Sequence, residues 1–474
     1  MTSHQSTPAV VERIRRVETG IVPQPLRWNQ VAERTTLTEH MAYYKTPGLS
    51  VALINHGEIE WAKGYGVLEA GRSDPVTPET IFQACSISKH VAMVGTLRLV
   101  KEGTLNLDED INYYLRSWKV PPNGSWQPRV TVRHLLGHTA GLTQNWFRGF
   151  RHGEPVPTLL QVLEGQAPAN TPLVSVVLIP GSQFRYSGSH YAVLQQLLAD
   201  VTGEPFPELM RELVFDPLEM DNSSYDQSYP ETRLKSTAVG HYIGGEPVYG
   251  KWRVIPEMAG AGLWTTASDL ARLACEIQRA HGGKSTRALT KELVDQALTP
   301  QAHESYGLGI EFEGRGESRR FGHNGSNIGY KCCSAAYVEQ GMGCVVLTNG
   351  DDGSWVVLDL MRALAQEYAW PNYVPEPVPT PVDAHVYETY QGEYELRPGF
   401  TFKISTQEER LFLEVTGQAP IELQPSSDVT FFAQAVNSEI TFTKSESGAV
   451  TGLVLKQEEQ ETQAKKMHQV RPSS

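Results

Sequence analysis

The 474-residue chain has no apolar run approaching the roughly 20 residues that a membrane-spanning helix requires. Its first 25 residues also lack the continuous apolar stretch of a secretory signal. A cytoplasmic protein with no membrane partner is expected. Cysteine is scarce: the five residues at 85, 275, 332, 333 and 344 are odd in number and without C-x-x-C spacing. Neither a disulfide framework nor a structural zinc site is indicated. Dense basic patches are missing too. The longest basic run is Arg13-Ile14-Arg15-Arg16, and the formal net charge is −13, whereas nucleic-acid binding needs a basic surface. Nucleotide fingerprints are incomplete: Gly71 falls too late after Gly64-Tyr65-Gly66, and Gly282-Gly283-Lys284-Ser285 has glutamine at 278 where a phosphate loop starts with glycine. His134 and His138 are four apart, but Leu135 replaces the glutamate of zinc-protease helices, which favours a structural role and no metal. No G-x-S-x-G elbow is present, which sets aside an α/β-hydrolase. No cofactor is implied.

What is present is ample core material, 40% hydrophobic with 9 Trp, 19 Tyr and 14 Phe, in a chain long enough for two or three domains. Residues 1–30 are polar and proline-punctuated and read as an arm, leading into a helix from about Asn29 to Tyr44 that Pro47-Gly48 ends. Leu49–Ile54 and Ile59–Val67 read as a hairpin around Asn55-His56-Gly57. Thr131 caps a short helix that Gly137 or Gly141 ends; Tyr191–Val201 has helical periodicity; Gly260–Leu270 leads into a helix capped by Thr266 or Ser268. Tyr306–Phe312, Arg319–Asn324, Tyr330–Val338 and Gly343–Asn349 read as an antiparallel sheet. Prolines at 371, 375, 377, 379 and 381 mark a stiff linker over 371–384. Beyond it, 385–474 holds six to eight short strands, which a small closed β-barrel accommodates without exposed edges.

The chemistry concentrates in three segments. In Ala84-Cys85-Ser86-Ile87-Ser88-Lys89 a serine precedes a lysine by three residues as an apolar helix begins, with Val91, Val94, Leu97 and Val100 at helical spacing. A serine hydroxyl becomes a nucleophile when a neighbouring base takes its proton, and the helix N-terminus stabilises developing negative charge. Cys85 is a rival nucleophile without a base at matching spacing. The other two segments are Tyr186-Ser187-Gly188 and His323-Asn324-Gly325.

Together and in this order, these segments resemble the serine β-lactamase and penicillin-binding superfamily, in its class C β-lactamase, DD-peptidase, D-aminopeptidase and esterase branch. The likeness extends over about residues 30–370, including Pro47–Ala52, His134–Leu142, Pro180–Tyr191 and Leu263–Leu270. It implies an α/β (α+β) fold over 31–370, an antiparallel sheet flanked by helices with an all-helical insertion at about 90–230, followed by a lipocalin-like barrel. It further implies that Ser86 is the nucleophile, that Lys89 and Tyr186 move the proton, and that the N–H groups of Ser86 and Ser326 form the oxyanion hole. His323, Asn324, Gly325 and Gly188 would bind substrate, with His323 and Gly325 on the sheet's edge strand facing Ser86.

Two departures from the branch bear on substrate. Gly188 stands where relatives carry asparagine, and His323 where β-lactamases carry lysine, so a substrate carboxylate is held less firmly. An esterase, amidase or D-amino-acid-type peptidase with at most weak β-lactamase activity is expected, acting on a small molecule or peptide. Barrels of this kind join subunits in some related peptidases, so a homo-oligomer fits. The alternative is a non-catalytic binding or assembly protein on the same fold.

Overall fold

Gly48–Asn55 (β1) and Glu58–Gly66 (β2) form the expected hairpin, closed by His56 and Gly57, both at positive φ (54° and 74°) as a tight two-residue turn requires. They begin the six-stranded sheet of a computed structural model of the chain. It describes residues 7–23, 34–371, 373 and 382–467, the last stretch apart from 398–399, 408–409, 416–419, 434–437, 446 and 458–459. After the two-residue strands Phe82–Gln83 (β3) and Trp264–Thr265 (β4), which form a separate two-stranded sheet, come Glu311–Glu313 (β5), Arg320–Asn327 (β6), Tyr330–Tyr337 (β7) and Gly343–Thr348 (β8). The main sheet runs β2-β1-β8-β7-β6-β5, with every neighbouring pair antiparallel. All eight residues of β1 are buried, because helices cover both faces of the sheet.

On one face Leu49, Val51, Val346 and Tyr337 pack with helix Gly353–Glu367 and with Val17 and Ile21. The other face carries helix Ala267–His281 and the apolar helix Ile87–Lys101, of which 87–97 are buried throughout. The region between β3 and β4 is helix and loop.

Some local expectations change. Residues 8–18 are not an extended arm but a helix, capped by Thr7 and starting on Pro8. Val10, Ile14 and Val17 recur at helical spacing and pack on the core, a pattern that the three arginines around Ile14 obscure in the sequence. The next helix starts at Leu37, where Thr36 and Glu39 form a capping box, and residues 29–33 of its expected span lie outside the described residues. The strand expected over 306–312 shortens to Glu311–Glu313, since Gly307 and Gly309 hold a tight turn. The linker prolines 375, 377, 379 and 381 lie outside the described residues.

The chain divides into two compact units. The smaller holds a closed eight-stranded antiparallel barrel running from Gly392–Arg397 to Gln460–Lys466, with first and last strands paired. Its interior is filled by rings: Tyr390 stacks on Phe442 at 4.0 Å, with Phe431 and Tyr394 against the same ring. Among the described residues these rings form a packed core.

Candidate active site

The turn that carries Ser86 is held from three sides. Ala84 N–H donates to Leu263 O at 2.8 Å, and Ser88 Oγ donates to Cys85 O at 2.5 Å while accepting Leu263 N–H at 3.0 Å. Tyr225 OH donates to Ser88 O at 2.6 Å. Cys85 has φ of 52°, a left-handed conformation that a non-glycine residue adopts at a cost and that is common beside active sites. It delivers Ser86, with helical φ and ψ, to the N-terminus of helix Ile87–Lys101. Cys85 itself is buried, with Sγ against the carbonyls of Gln83 and Tyr330, so it does not compete as nucleophile.

Lys89 lies one turn on, 2% exposed, with Nζ 3.1 Å from Ser86 Oγ and 2.6 Å from Gly260 O. Burial brings its ammonium down to about 7, against opposing influences from Glu311 and Cys85. Near neutral pH a large share is therefore free amine, whose lone pair can take the Ser86 proton. The Tyr186 ring lies 5.1 Å from Lys89 Nζ, and burial drives its phenol above its ordinary range. A phenol held in its protonated form is able to donate or relay a proton, and Lys89 is the neighbouring group able to accept one.

The three groups open into a cleft of about 660 Å³. Gly188 and, from β6, Asn324, Gly325 and Ser326 line it as well. Along β6, Asn324 and Ser326 are exposed while His323, Gly325 and Asn327 are buried, the alternation of a strand with one side turned to the cleft. β5 pairs with β6 only as far as Gly322, so the outer side of 323–327 acts as the edge although β6 is not the edge strand. Asn324 N–H points outward to Glu311, and the same alternation turns Ser326 N–H outward, the direction an oxyanion-hole donor needs.

His323 is a correction. It does not line the cleft but sits beneath Tyr186, ring centroids 6.0 Å apart, with Nδ1 donating to Asn324 O at 2.6 Å. Burial, and then Lys89, lower its imidazolium to about 3, so it is neutral and offers no charge to a substrate carboxylate. His138 and His190 are likewise buried, their Nδ1 atoms 3.2 Å apart, while the Nδ1 of His134 accepts Thr131 N–H.

Gly325 lines the cleft, and its missing side chain also serves packing. A Cβ there would lie 2.4 Å from Cys332 Sγ, 2.8 Å from Ala84 O and 2.9 Å from Cys85 Cβ, so the strand packs directly on the turn behind Ser86. Gly325→Ala is expected to cost about 1–3 kcal/mol and to slow acylation by displacing that turn. Thermal denaturation of the variant checks this; an unchanged midpoint would mean that the strand can step back.

Sequence reasoning missed Phe147. A Cβ on Gly188 would lie 2.4 Å from its Cζ, and one on Gly260 2.6 Å from its Cε2. The ring is wedged between two glycines and occupies the space that an asparagine side chain at 188 would take. Lys89 finds its second partner in the Gly260 carbonyl. Trp146, 62% exposed, stacks on Tyr186 at 5.9 Å and forms a rim of the cleft. Glu311 was missed as well, although an acidic residue in an otherwise apolar run is a visible signal.

With the geometry in hand, comparison with known proteins is informative. A beta-lactamase family model matches residues 34–367, and the domain of unknown function DUF3471 matches 376–469. Penicillin-binding protein 4* of Bacillus subtilis (strain 168) is 24% identical over 423 residues, covering 83% of this chain and 89% of that protein. A D-aminopeptidase of Brucella ovis is 26% identical over 336 residues, 68% of this chain and 60% of the relative, so the chain spans less than two thirds of that protein. The octameric penicillin-binding protein homologue from Pyrococcus abyssi superposes with a TM-score of 0.60 at 23% identity, over 90% of this chain and 98% of that one.

Proposed function

The chain belongs to the beta-lactamase family and is a serine hydrolase; from that premise we propose that it cleaves esters or amides, D-aminoacyl amides and peptides among them, through an acyl-enzyme on Ser86. The observation that carries this is the 3.1 Å contact between Ser86 Oγ and a buried lysine amine that is partly neutral near pH 7. Lys89 takes the Ser86 proton as Oγ bonds to the substrate carbonyl carbon. The oxyanion is held by the N–H groups of Ser86 and Ser326. The proton then passes from Lys89 through Tyr186 to the leaving oxygen or nitrogen, whose bond to carbon breaks, and water releases the acid by the reverse proton path. β-Lactam turnover is weak at most, because Phe147 fills the space beside Gly188 and His323 is neutral.

A fluorophosphonate probe tests the reading. The expected result is one adduct, mapped by mass spectrometry to Ser86 and absent from Ser86→Ala. Folded protein that takes no label would overturn it in favour of a binding or assembly protein. A cytoplasmic location suits a chain whose five thiols are all unpaired; among the described residues no helix is long and apolar enough to cross a membrane. Assembly into a homo-oligomer is supported by the octameric homologue.

A further inference from the structure

Glu311 is the one acidic side chain among the described residues that line the cleft. It stands at the start of β5, where pairing with β6 stops, and its side chain is 29% exposed. Oε2 accepts Asn324 N–H at 2.8 Å and Asn324 Nδ2 at 3.4 Å. Among the described residues the basic group within 4 Å of the carboxylate is His323, whose Nδ1 lies 3.6 Å from Oε1, and His323 is neutral with that proton already given to Asn324 O. The other lysine of the cleft, Lys331, is bound to Asp351 at 2.8 Å. A carboxyl group therefore faces the cleft with hydrogen-bond donors and, among the described residues, no Lys or Arg within 4 Å; burial pushes it up to about 7, and the Lys89 ammonium, acting on it from farther off, opposes that rise. Such a group is costly unless an opposite charge arrives.

Its position relative to the chemistry follows from the strand. Asn324 and Ser326 are two residues apart on the same side of β6, about 7 Å along the strand. A carbonyl polarised by Ser326 N–H thus has Glu311 about 7 Å along the strand, within reach of a group one or two residues from the scissile bond. A substrate carboxylate placed there would meet like charge, while an ammonium would receive a charge-assisted hydrogen bond.

We infer that Glu311, set against the unpaired edge of β6, forms a subsite for a primary ammonium group one or two residues from the scissile bond, so that the preferred substrates are cationic esters or amides. This rests on the reading of Ser86 as nucleophile, and the experiment keeps the two apart. Ser86→Ala and wild type are first compared on p-nitrophenyl acetate; activity that survives in Ser86→Ala overturns the nucleophile, whatever Glu311 does.

Wild-type kcat/KM at pH 7 is then measured for matched pairs: D-alanine p-nitroanilide against its N-acetyl derivative, and phenylacetate esters of ethanolamine against those of ethylene glycol monomethyl ether. The cation lies on the acyl flank in the first pair and on the leaving-group flank in the second. The expected result is a preference of about 10- to 100-fold for the cationic member on one flank, reduced towards unity in Glu311→Gln. No preference on either flank, or an unchanged ratio in Glu311→Gln, overturns the subsite. Inhibition of wild-type p-nitrophenyl acetate hydrolysis by benzylamine, benzyl alcohol and benzoate requires no folded variant. Benzylamine is expected to bind tightest and benzoate weakest, and the reverse order overturns the inference.

Discussion

Lys89→Met is expected to lower kcat/KM for a neutral ester by about a thousand- to ten-thousand-fold, Ser86→Ala by a similar factor, and the double variant by little more than either single one. Groups that act as one unit lose the whole effect when any member goes. Methionine is close to lysine in length and apolar, so it fills the buried channel between Ile87–Lys101 and Gly260 without a charge. The variant therefore tests the amine rather than the packing. The pH profile gives the sign. The reactive form is the neutral amine, with its ammonium brought by burial to about 7. Wild-type kcat/KM should rise about tenfold per pH unit below that value and level off above it. Glu311 is pushed up by burial to about 7 as well, so the inflection alone does not identify the group. Loss of the inflection in Lys89→Met, and its persistence in Glu311→Gln, assigns it to Lys89; the opposite pattern would make Glu311 the titrating group and overturn the assignment of the base.

What could be read from the sequence follows the range of the interactions. Ser86 and Lys89 are neighbours because a helix puts residues three apart on one face, and that geometry is local. Hairpin β1–β2 was equally plain, since the turn residues and the flanking alternation lie within one stretch. The barrel was legible as short strands that need closure. His323 was misread although its strand was recognised. In a strand one step of register turns every side chain to the other side, and motif order alone does not say that Asn324 and Ser326 face the cleft while His323 lies under Tyr186. Gly325 was legible as a cleft residue, but its tight packing against Cys332 and against Ala84 and Cys85, some 240 positions away, was not. The helix at Pro8–Glu18 was hidden for another reason: its packed stripe of Val10, Ile14 and Val17 is narrow and interleaved with Glu12, Arg13, Arg15 and Arg16, so the segment reads as a solvated arm.

Phe147 is the feature that no local pattern could reveal, and it changes what restoring the family asparagine should do. Gly188→Asn alone is expected to destabilise the protein without creating β-lactam acylation, because the new Cβ would lie 2.4–2.9 Å from three atoms of the Phe147 ring, and the ring already packs so closely on Gly260 that a Cβ there would lie 2.6 Å from it. Phe147→Ala alone leaves a gap and costs stability of its own, at or below the low end of the 3–5 kcal/mol seen for buried phenylalanines, since Phe147 is only partly buried. Combined, the two changes relieve each other. The asparagine takes the vacated space and its amide faces the cleft beside Lys89, so the double variant should lose clearly less stability than the sum of the singles. It should also acylate with a chromogenic cephalosporin about 10- to 100-fold faster than wild type, the worth of one well-placed hydrogen bond to the substrate amide. Thermal midpoints of the four proteins and burst amplitudes with the cephalosporin are the measurements. Additive destabilisation would mean that Phe147 and Gly188 do not compete for one space. Recovered stability without faster acylation would shift the barrier to β-lactams from Phe147 to the charge pattern of the cleft, in which a neutral His323 and the carboxylate of Glu311 oppose an anionic substrate.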